Sequence, residues 1–224
     1  MVNFADASYP WPRKGDDPFA LDADWSSNAC LNFMNDEPWF GYVRGYKLAG
    51  DLAVDHVERK RYDSDTLVYP ILFNYRQYLE LVLKSLIRDA RLLLDERGGA
   101  PDGHNLMHLW NTAQPLLLRI EPKSRNDLDN VGSCLAHFAR LDPNSEAFRY
   151  PVDLDGNPSL PEDLFHINLS KVRNVIANLD GFFYAADTHI SALLEFKAEA
   201  EAEGRAAEAE MEREMLRAFG DSSF

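Results

Sequence analysis

The longest regular pattern of apolar positions lies between residues 70 and 94. Within "YPILFNYRQYLELVLKSLIRDARLLLDERGG", apolar side chains recur every three or four residues, a spacing that places them on one face of an α-helix. Pro70 suits the first turn of such a helix, and Gly98 and Gly99 end the pattern. The pattern predicts a core helix whose apolar face contains Ile71, Leu72, Tyr75, Leu79, Val82, Leu83, Leu86, Ala90, Leu93 and Leu94.

A second long pattern occupies the last third of the chain. Its apolar positions predict a long helix that faces a core or a partner helix, and a homodimer contact through this stripe is expected because the repeat leaves a continuous seam to bury. The Ala- and Glu-rich segment that follows favours continuation of the helix. It is expected to project, with Met211, Met215 and Phe219 as a narrow apolar edge. The stripe consists of Leu169, Val172, Ile176, Leu179, Phe183, Ala186, Ile190 and Leu193.

Three shorter segments complete an all-α prediction. Residues 40–61 have apolar positions near helical spacing, "GHNLMHLWNTAQPLLLRI" predicts a helix interrupted or kinked near Pro115, and "SRNDLDNVGSCLAHFARLD" predicts one that begins at Ser124. Four prolines then forbid a continued helix, and Asp155 and Gly156 supply a tight turn. A small loop or hairpin is therefore expected before the long C-terminal helix.

The composition divides the chain into three parts. Residues 1–39 are rich in Pro, Asp and aromatic side chains without a period, which predicts an extended N-terminal arm pinned to the body by Trp11, Trp25 and Trp39. Residues 40–197 form the predicted helical domain. Residues 198–224 form an acidic helical tail, which is a candidate contact for a protein partner.

The overall charge restricts the class of ligand. The net charge of −14 excludes a broad electrostatic grip on nucleic acid, because such binding depends on Lys and Arg, so any RNA or nucleotide contact has to be local. The two cysteines, Cys30 and Cys134, favour a reducing cytoplasm. No apolar signal segment or membrane span is present. Glycine patterns for phosphate or dinucleotide binding are also missing, so no cofactor is expected.

Four motifs resemble a known family when taken in order. "RQYLELVLKSLI", "GHNLMHLW", "FRYPVD" and "RNVIAN" follow one another as in HEPN domains, and the resemblance covers about residues 66–197. It implies a helical bundle that commonly dimerises and, in many members, a metal-independent endoribonuclease of toxin, antiviral defence or RNA-processing systems. The arm, the first helix and the tail lie outside the resemblance.

The motif that carries ribonuclease activity in this family is only partly present. The resemblance implies an Arg-Asn pair followed by three residues and a His; Arg173 and Asn174 match its start, and Asn178 stands at the histidine position. Arg173 can clamp a phosphate, but an asparagine amide cannot carry a proton as imidazole does. The motif thus keeps an arginine that can bind phosphate and lacks the histidine that would act as acid or base. Alternatively, the three residues only decorate the flank of a packing helix.

Other polar residues complete the candidate site. Glu80 and His104 are the remaining groups able to transfer a proton if RNA is cleaved. Glu80 forms a helix ion pair with Lys84 beside Arg76, and this line is either a solvated face or the border of the cleft that holds Arg173.

The loop "FRYPVD" supplies two further candidate residues. Arg149 can reach a phosphate and Tyr150 can stack on a base, although Tyr150 can equally plug the mouth of the bundle. His104 and His108 share a helix face, but no third ligand is evident, so no metal site is predicted.

Two functional hypotheses follow. The first is an HEPN-like protein that binds RNA or nucleotide in a bacterial toxin or defence setting, with weak metal-independent endoribonuclease activity. The second is a catalytically inactive HEPN-like dimeric interaction or regulatory module, which the missing histidine and the net charge favour slightly.

Overall fold

A computed structural model describes residues 11–31 and 38–220, and the chain divides into two units, Met1–Asp36 and Glu37–Phe224. In the first unit, turns surround one short 3-10 helix, Trp25–Ser27, and the side chains of Trp11 and Trp25 are exposed. Residues 1–10 and 32–37 of the predicted arm, and residues 221–224 of the predicted tail, lie outside the described residues. Trp39 belongs to the second unit.

The second unit contains five α-helices in its described residues, which confirms the all-α prediction. Helix α2 is central because it packs against α1, α3 and α5, while α4 packs against α3. A short 3-10 helix, Pro122–Ser124, joins α3 to α4. The helices are α1 (Pro38–Lys60), α2 (Ser64–Leu93), α3 (Leu106–Ile120), α4 (Arg125–Leu141) and α5 (Leu169–Gly220).

The connection between α4 and α5 contains the predicted turn with little regular structure around it. Val152 and Pro158 form an isolated antiparallel bridge, and Gly156 has a φ of +84°, which favours glycine in the turn. Asp153 accepts hydrogen bonds from the backbone N–H groups of Asp155 and Asn157. The predicted small hairpin is therefore a single bridge closed by an aspartate-stabilised turn.

Two prolines lie inside helices where the sequence predicted a start and an interruption. Helix α2 begins at Ser64, six residues before Pro70, and α3 runs through Pro115. Both prolines are exposed. At an exposed position, water can replace the N–H donor that the carbonyl group four residues earlier loses. Helix α2 also extends beyond the prediction because Leu67 and Val68 pack against the core.

The apolar stripe of α5 packs within its own chain. Ile176, Leu179, Phe183 and Ile190 are buried in the same core as the apolar face of α2 and the Trp110 side chain of α3. Of the two destinations predicted for this stripe, the core is the one observed. A homodimer contact, which the sequence placed on this stripe, needs another surface.

The second half of α5 extends beyond the core. Its side chains are exposed from residue 198 to residue 215, including Met211 and Met215 of the predicted apolar edge. The side chain of Phe219, the third member of that edge, is not among those described. None of the helices in residues 38–220 combines the length and the apolar composition that crossing a membrane requires.

Candidate functional site

A buried charged network lies on the side of α2 that faces the start of α3. Arg76 and Glu80 are one helical turn apart, and they are only 0% and 1% exposed. Glu80 accepts from Arg76 Nη1 at 3.3 Å and from Lys84 Nζ at 3.0 Å. Burial lowers the pKa of the Arg76 guanidinium, while the charges of Glu80 and Asp142 act in the opposite direction. The solvated-face interpretation is therefore wrong for Arg76 and Glu80.

His104 joins this network from the loop between α2 and α3. Its Nδ1 lies 2.8 Å from Glu80 Oε1, and its backbone carbonyl accepts from Arg76 Nη2. The His104 side chain is otherwise 63% exposed. A buried carboxylate thus orients an imidazole that reaches solvent, an arrangement suited to proton transfer if a substrate binds beside it.

The predicted residues Arg149 and Tyr150 lie beside the network. The positive charge of Arg149 contributes to lowering the pKa of Arg76. The Arg149 guanidinium lies over the rings of Phe73 and Tyr150, 6.0 and 5.5 Å from their centres. Tyr150 is exposed, so it does not plug the bundle.

Asp142, which the sequence analysis did not single out, secures the far side of Arg76. Its carbonyl accepts from Arg76 Nε at 3.3 Å, and its Oδ1 accepts from the backbone N–H groups of Glu146 and Ala147. Its Oδ2 is buried without a hydrogen-bond partner. An aspartate followed by Pro143 at a helix end signals a chain reversal, but it does not identify Arg76 as the distant partner.

Arg173 of the "RNVIAN" motif is held by two carboxylates of α1. Its Nη1 donates to Asp55 at 2.6 Å, and its Nη2 donates to Glu58 at 2.9 Å. Glu58 also accepts from the Ser170 hydroxyl at 2.6 Å. This hydrogen bond, with the charge of Arg173, holds the pKa of Glu58 below its ordinary value. The guanidinium that the resemblance assigns to a phosphate is therefore already paired with two anions.

The two asparagines of the motif lie on the exposed side of α5. Asn174 and Asn178 are one helical turn apart, whereas Ile176 between them is buried. This alternation is what an amphipathic helix produces at its flank. The position expected for a proton carrier is therefore accessible to solvent, and it carries an amide.

The predicted site residues fall into two groups on different sides of α2. Tyr75 faces α1, where its hydroxyl donates to the Asp51 carboxylate at 2.8 Å. Arg76, the next residue, points about 100° further round the helix, toward His104. Glu80, Lys84 and His104 are thus brought together, whereas the cleft predicted to join them to Arg173 is not formed by these contacts.

The outer side of α1 presents a surface that the sequence analysis did not identify. Tyr42, Leu48 and Leu52 are 60%, 57% and 55% exposed, and Gly45 between them adjoins open space. The charged residues of this stretch are directed toward Asp180 of α5: Lys47 pairs with Asp51 and Asp180, and the half-exposed Arg44 lies 3.8 Å from Asp180. We call this surface the outer face of α1; it consists of Gly41, Tyr42, Gly45, Leu48, Ala49 and Leu52.

The part of the chain that the structure describes contains no cluster of side chains arranged to bind a metal ion. Within residues 11–31 and 38–220, no three His, Cys, Asp or Glu side chains are grouped so as to hold a metal ion. His108 shares the start of α3 with His104, and its backbone N–H donates to the Asn105 side chain, which caps the helix. Here the Asn105 side chain therefore caps α3, and the His104 carbonyl is a partner of Arg76.

Comparison with known proteins assigns no family. No protein-family model matches the chain, and neither a curated protein nor a solved structure does so. The fold is all-α, and this agrees with the resemblance at the level of fold class. The arguments about function therefore rest on this chain's own residues.

Proposed function

We propose that this chain is a catalytically inactive, HEPN-like interaction module that pairs with a second copy through the outer face of α1. The observation that carries the proposal is the exposure of three large apolar side chains, Tyr42, Leu48 and Leu52, within 11 residues of one helix. Contiguous exposed apolar surface of this kind typically marks a protein contact.

The charge of the chain favours a second copy as the occupant of this face. Two copies of a protein with a net charge of −14 repel one another, so their contact needs a surface without charges. The outer face of α1 meets this requirement, and it can oppose itself across a two-fold axis. The small residues Gly41, Gly45 and Ala49 also allow two helix backbones to approach closely.

The contacts of Arg173 support the catalytically inactive form of this proposal. An RNA phosphate would have to displace Asp55 and Glu58 from the guanidinium, and it would be repelled by both carboxylates. The oriented imidazole of His104 lies with Glu80 on another side of α2. RNA or nucleotide binding in a toxin or defence setting stays a hypothesis that rests on the resemblance.

Leu48→Glu should convert a dimer into a monomer. Light scattering of the wild type is expected to give twice the chain mass of 25.5 kDa, and the variant should give the chain mass. The reason is that a two-fold contact would bury two glutamates close together. Circular dichroism should show unchanged helix content, since residue 48 is exposed.

The control for this experiment is the same substitution at Leu154. This side chain is 99% exposed in the loop between α4 and α5, so Leu154→Glu should keep the dimer mass. A wild type that scatters as a single chain, or a Leu48→Glu protein that remains dimeric, would contradict the proposed contact.

Metal-free RNA cleavage should be at background for the wild type and for Asn178→His. The substitution adds an imidazole but leaves the guanidinium of Arg173 paired with Asp55 and Glu58, so phosphate activation is still missing. The measurement is cleavage of a single-stranded RNA in the presence of a chelator, with nuclease-free preparations purified side by side.

Two further variants separate the alternatives in this assay. A gain in Asn178→His of about 10²- to 10⁴-fold, lost on adding Arg173→Ala, would show a ribonuclease motif that lacks only its proton carrier. Wild-type cleavage that His104→Ala removes would instead place catalysis at the His104 and Glu80 pair. Either result would contradict catalytic inactivity.

A further inference from the structure

A cavity of about 370 Å³ lies where α1, α2 and α5 meet, and its lining contains none of the residues of the charged network. Its floor is formed by Tyr78, Leu86 and Phe183, which are each only 1% exposed. Phe40 of α1 and Tyr184 of α5 lie at its exposed rim. The volume is within the range of small-molecule sites, about 300–1,000 Å³, which are typically apolar with a few placed polar groups.

The charged groups beside Trp39 in the cavity wall are already engaged within the protein. Arg88 donates to both oxygens of Asp89 at 2.8 and 2.9 Å. Its guanidinium also lies 5.8 Å from the centre of the Trp39 ring, so it covers a face of that ring. Asp187, on the α5 side of the wall, is not without a partner either. Among these described residues a charged ligand would find no unpaired counter-charge, and burial of its own charge would be unfavourable.

Asp180 is a polar group of the lining that is held in a fixed position. Its Oδ1 accepts from the Tyr78 hydroxyl at 2.9 Å, and its Oδ2 lies 3.4 Å from Lys47 Nζ. Burial, with the charge of Asp180, raises the pKa of Tyr78 above its ordinary value, so the phenol remains a neutral donor. A carboxylate can accept about four hydrogen bonds, and the Asp180 side chain is 25% exposed, so a further donor can reach it.

From this lining we infer that the cavity binds a small neutral aromatic molecule that carries one N–H or O–H donor, such as an indole. An aromatic ring fits between the rings of Phe183 and Tyr184, because aromatic pairs favour offset and edge-to-face contacts. The donor of the ligand pairs with the Asp180 carboxylate, which is stronger as an acceptor than a neutral oxygen. The paired charges of the wall favour a neutral ligand over a cation or an anion.

Equilibrium dialysis of the full chain against four related probes tests this inference. They are indole, 1-methylindole without the donor, cationic tryptamine and anionic indole-3-acetate. Indole should bind about three- to tenfold more tightly than 1-methylindole, because only indole can donate to the carboxylate. It should bind at least about tenfold more tightly than either charged probe. Equal binding of indole and 1-methylindole, tighter binding of tryptamine, or no binding of indole at millimolar concentration would overturn the inference.

Two tryptophan variants locate the binding. Ser191→Trp should abolish indole binding, because the new side chain would fill the cavity from its exposed rim. The control is Ala192→Trp, which adds the same side chain about 100° further round α5, at an exposed position outside the lining, and should leave the affinity unchanged. Indole binding that survives Ser191→Trp, or that both variants lose equally, would contradict this cavity as the site.

Asp180→Ala tests the acceptor. The variant should bind indole and 1-methylindole equally, because the carboxylate that distinguishes them is removed. Lys47 keeps Asp51 as a partner, and circular dichroism checks that the variant is folded. A preference for indole that persists in folded Asp180→Ala would show that another group accepts the hydrogen bond, and it would overturn the role inferred for Asp180.

Discussion

Glu80→Ala should lower the free energy of unfolding by about 3–5 kcal/mol, because the Arg76 guanidinium would remain buried without its carboxylate. Lys84 and His104 would lose the same partner, although both reach solvent and lose less. Urea unfolding followed by circular dichroism measures the change.

The matched control is Glu201→Ala in the exposed half of α5. Glu201 also pairs with an arginine one helical turn away, Arg205, but both side chains are more than half exposed. Loss of such a pair changes the free energy of unfolding by no more than about 0.5 kcal/mol. If Glu80→Ala costs no more than Glu201→Ala, the charged network is not buried as described.

A double variant separates the loss of attraction from the burial of an unpaired charge. Arg76→Met with Glu80→Leu removes both members of the buried pair and leaves only the Asp142 carboxylate, which keeps its two backbone N–H donors, so the double variant should be more stable than Glu80→Ala alone. It should not exceed the wild type, because the carbonyl groups of His104 and Asp142 lose their donor. A double variant less stable than Glu80→Ala would show that the contacts of Arg76 with His104 and Asp142, and not its pairing with Glu80, dominate.

The helices were predictable from the sequence because the repeat of apolar residues is a local property. The same repeat is satisfied by a core or by a partner helix, so the destination of Ile176 and Phe183 in α5 required the structure. The prolines were misjudged for a related reason. Pro70 and Pro115 lie on the side of their helices that faces water, where the lost hydrogen bond costs less, and which side faces water depends on the neighbouring helices.

In the candidate site, too, contacts between residues close in sequence could be predicted, whereas contacts between distant residues could not. The pairing of Glu80 with Lys84 follows from their spacing on one helix, and it is present. The contact of His104 with Glu80 closes a loop of 24 residues, and Arg173 reaches Asp55 across 118. Such contacts depend on how helices pack, so a single sequence contains no periodic pattern that marks them. The outer face of α1 was missed because its apolar residues suit a buried face equally well.

Gly50→Ala should destabilise the protein even though alanine is the better helix former. A Cβ at residue 50 of α1 would lie 2.6 Å from Cε1 of Tyr75, closer than atoms in contact allow. The Tyr75 ring cannot easily move, because it is fully buried and its hydroxyl is bonded to Asp51. Overpacking of this kind costs about 1–3 kcal/mol. Thermal and urea unfolding measure the loss.

The identical substitution at Gly181 of α5 should have the opposite sign. Gly181 is exposed, and a Cβ there meets no atom within 4 Å, so alanine only improves helix propensity. The expected gain is about 0.5–1 kcal/mol. Since both glycines lie inside helices, the difference between the variants isolates the contact with Tyr75. If Gly50→Ala is as stable as Gly181→Ala, α1 does not pack against α2 as closely as the structure shows, and the position of Asp55 beside Arg173 would also have to be revised.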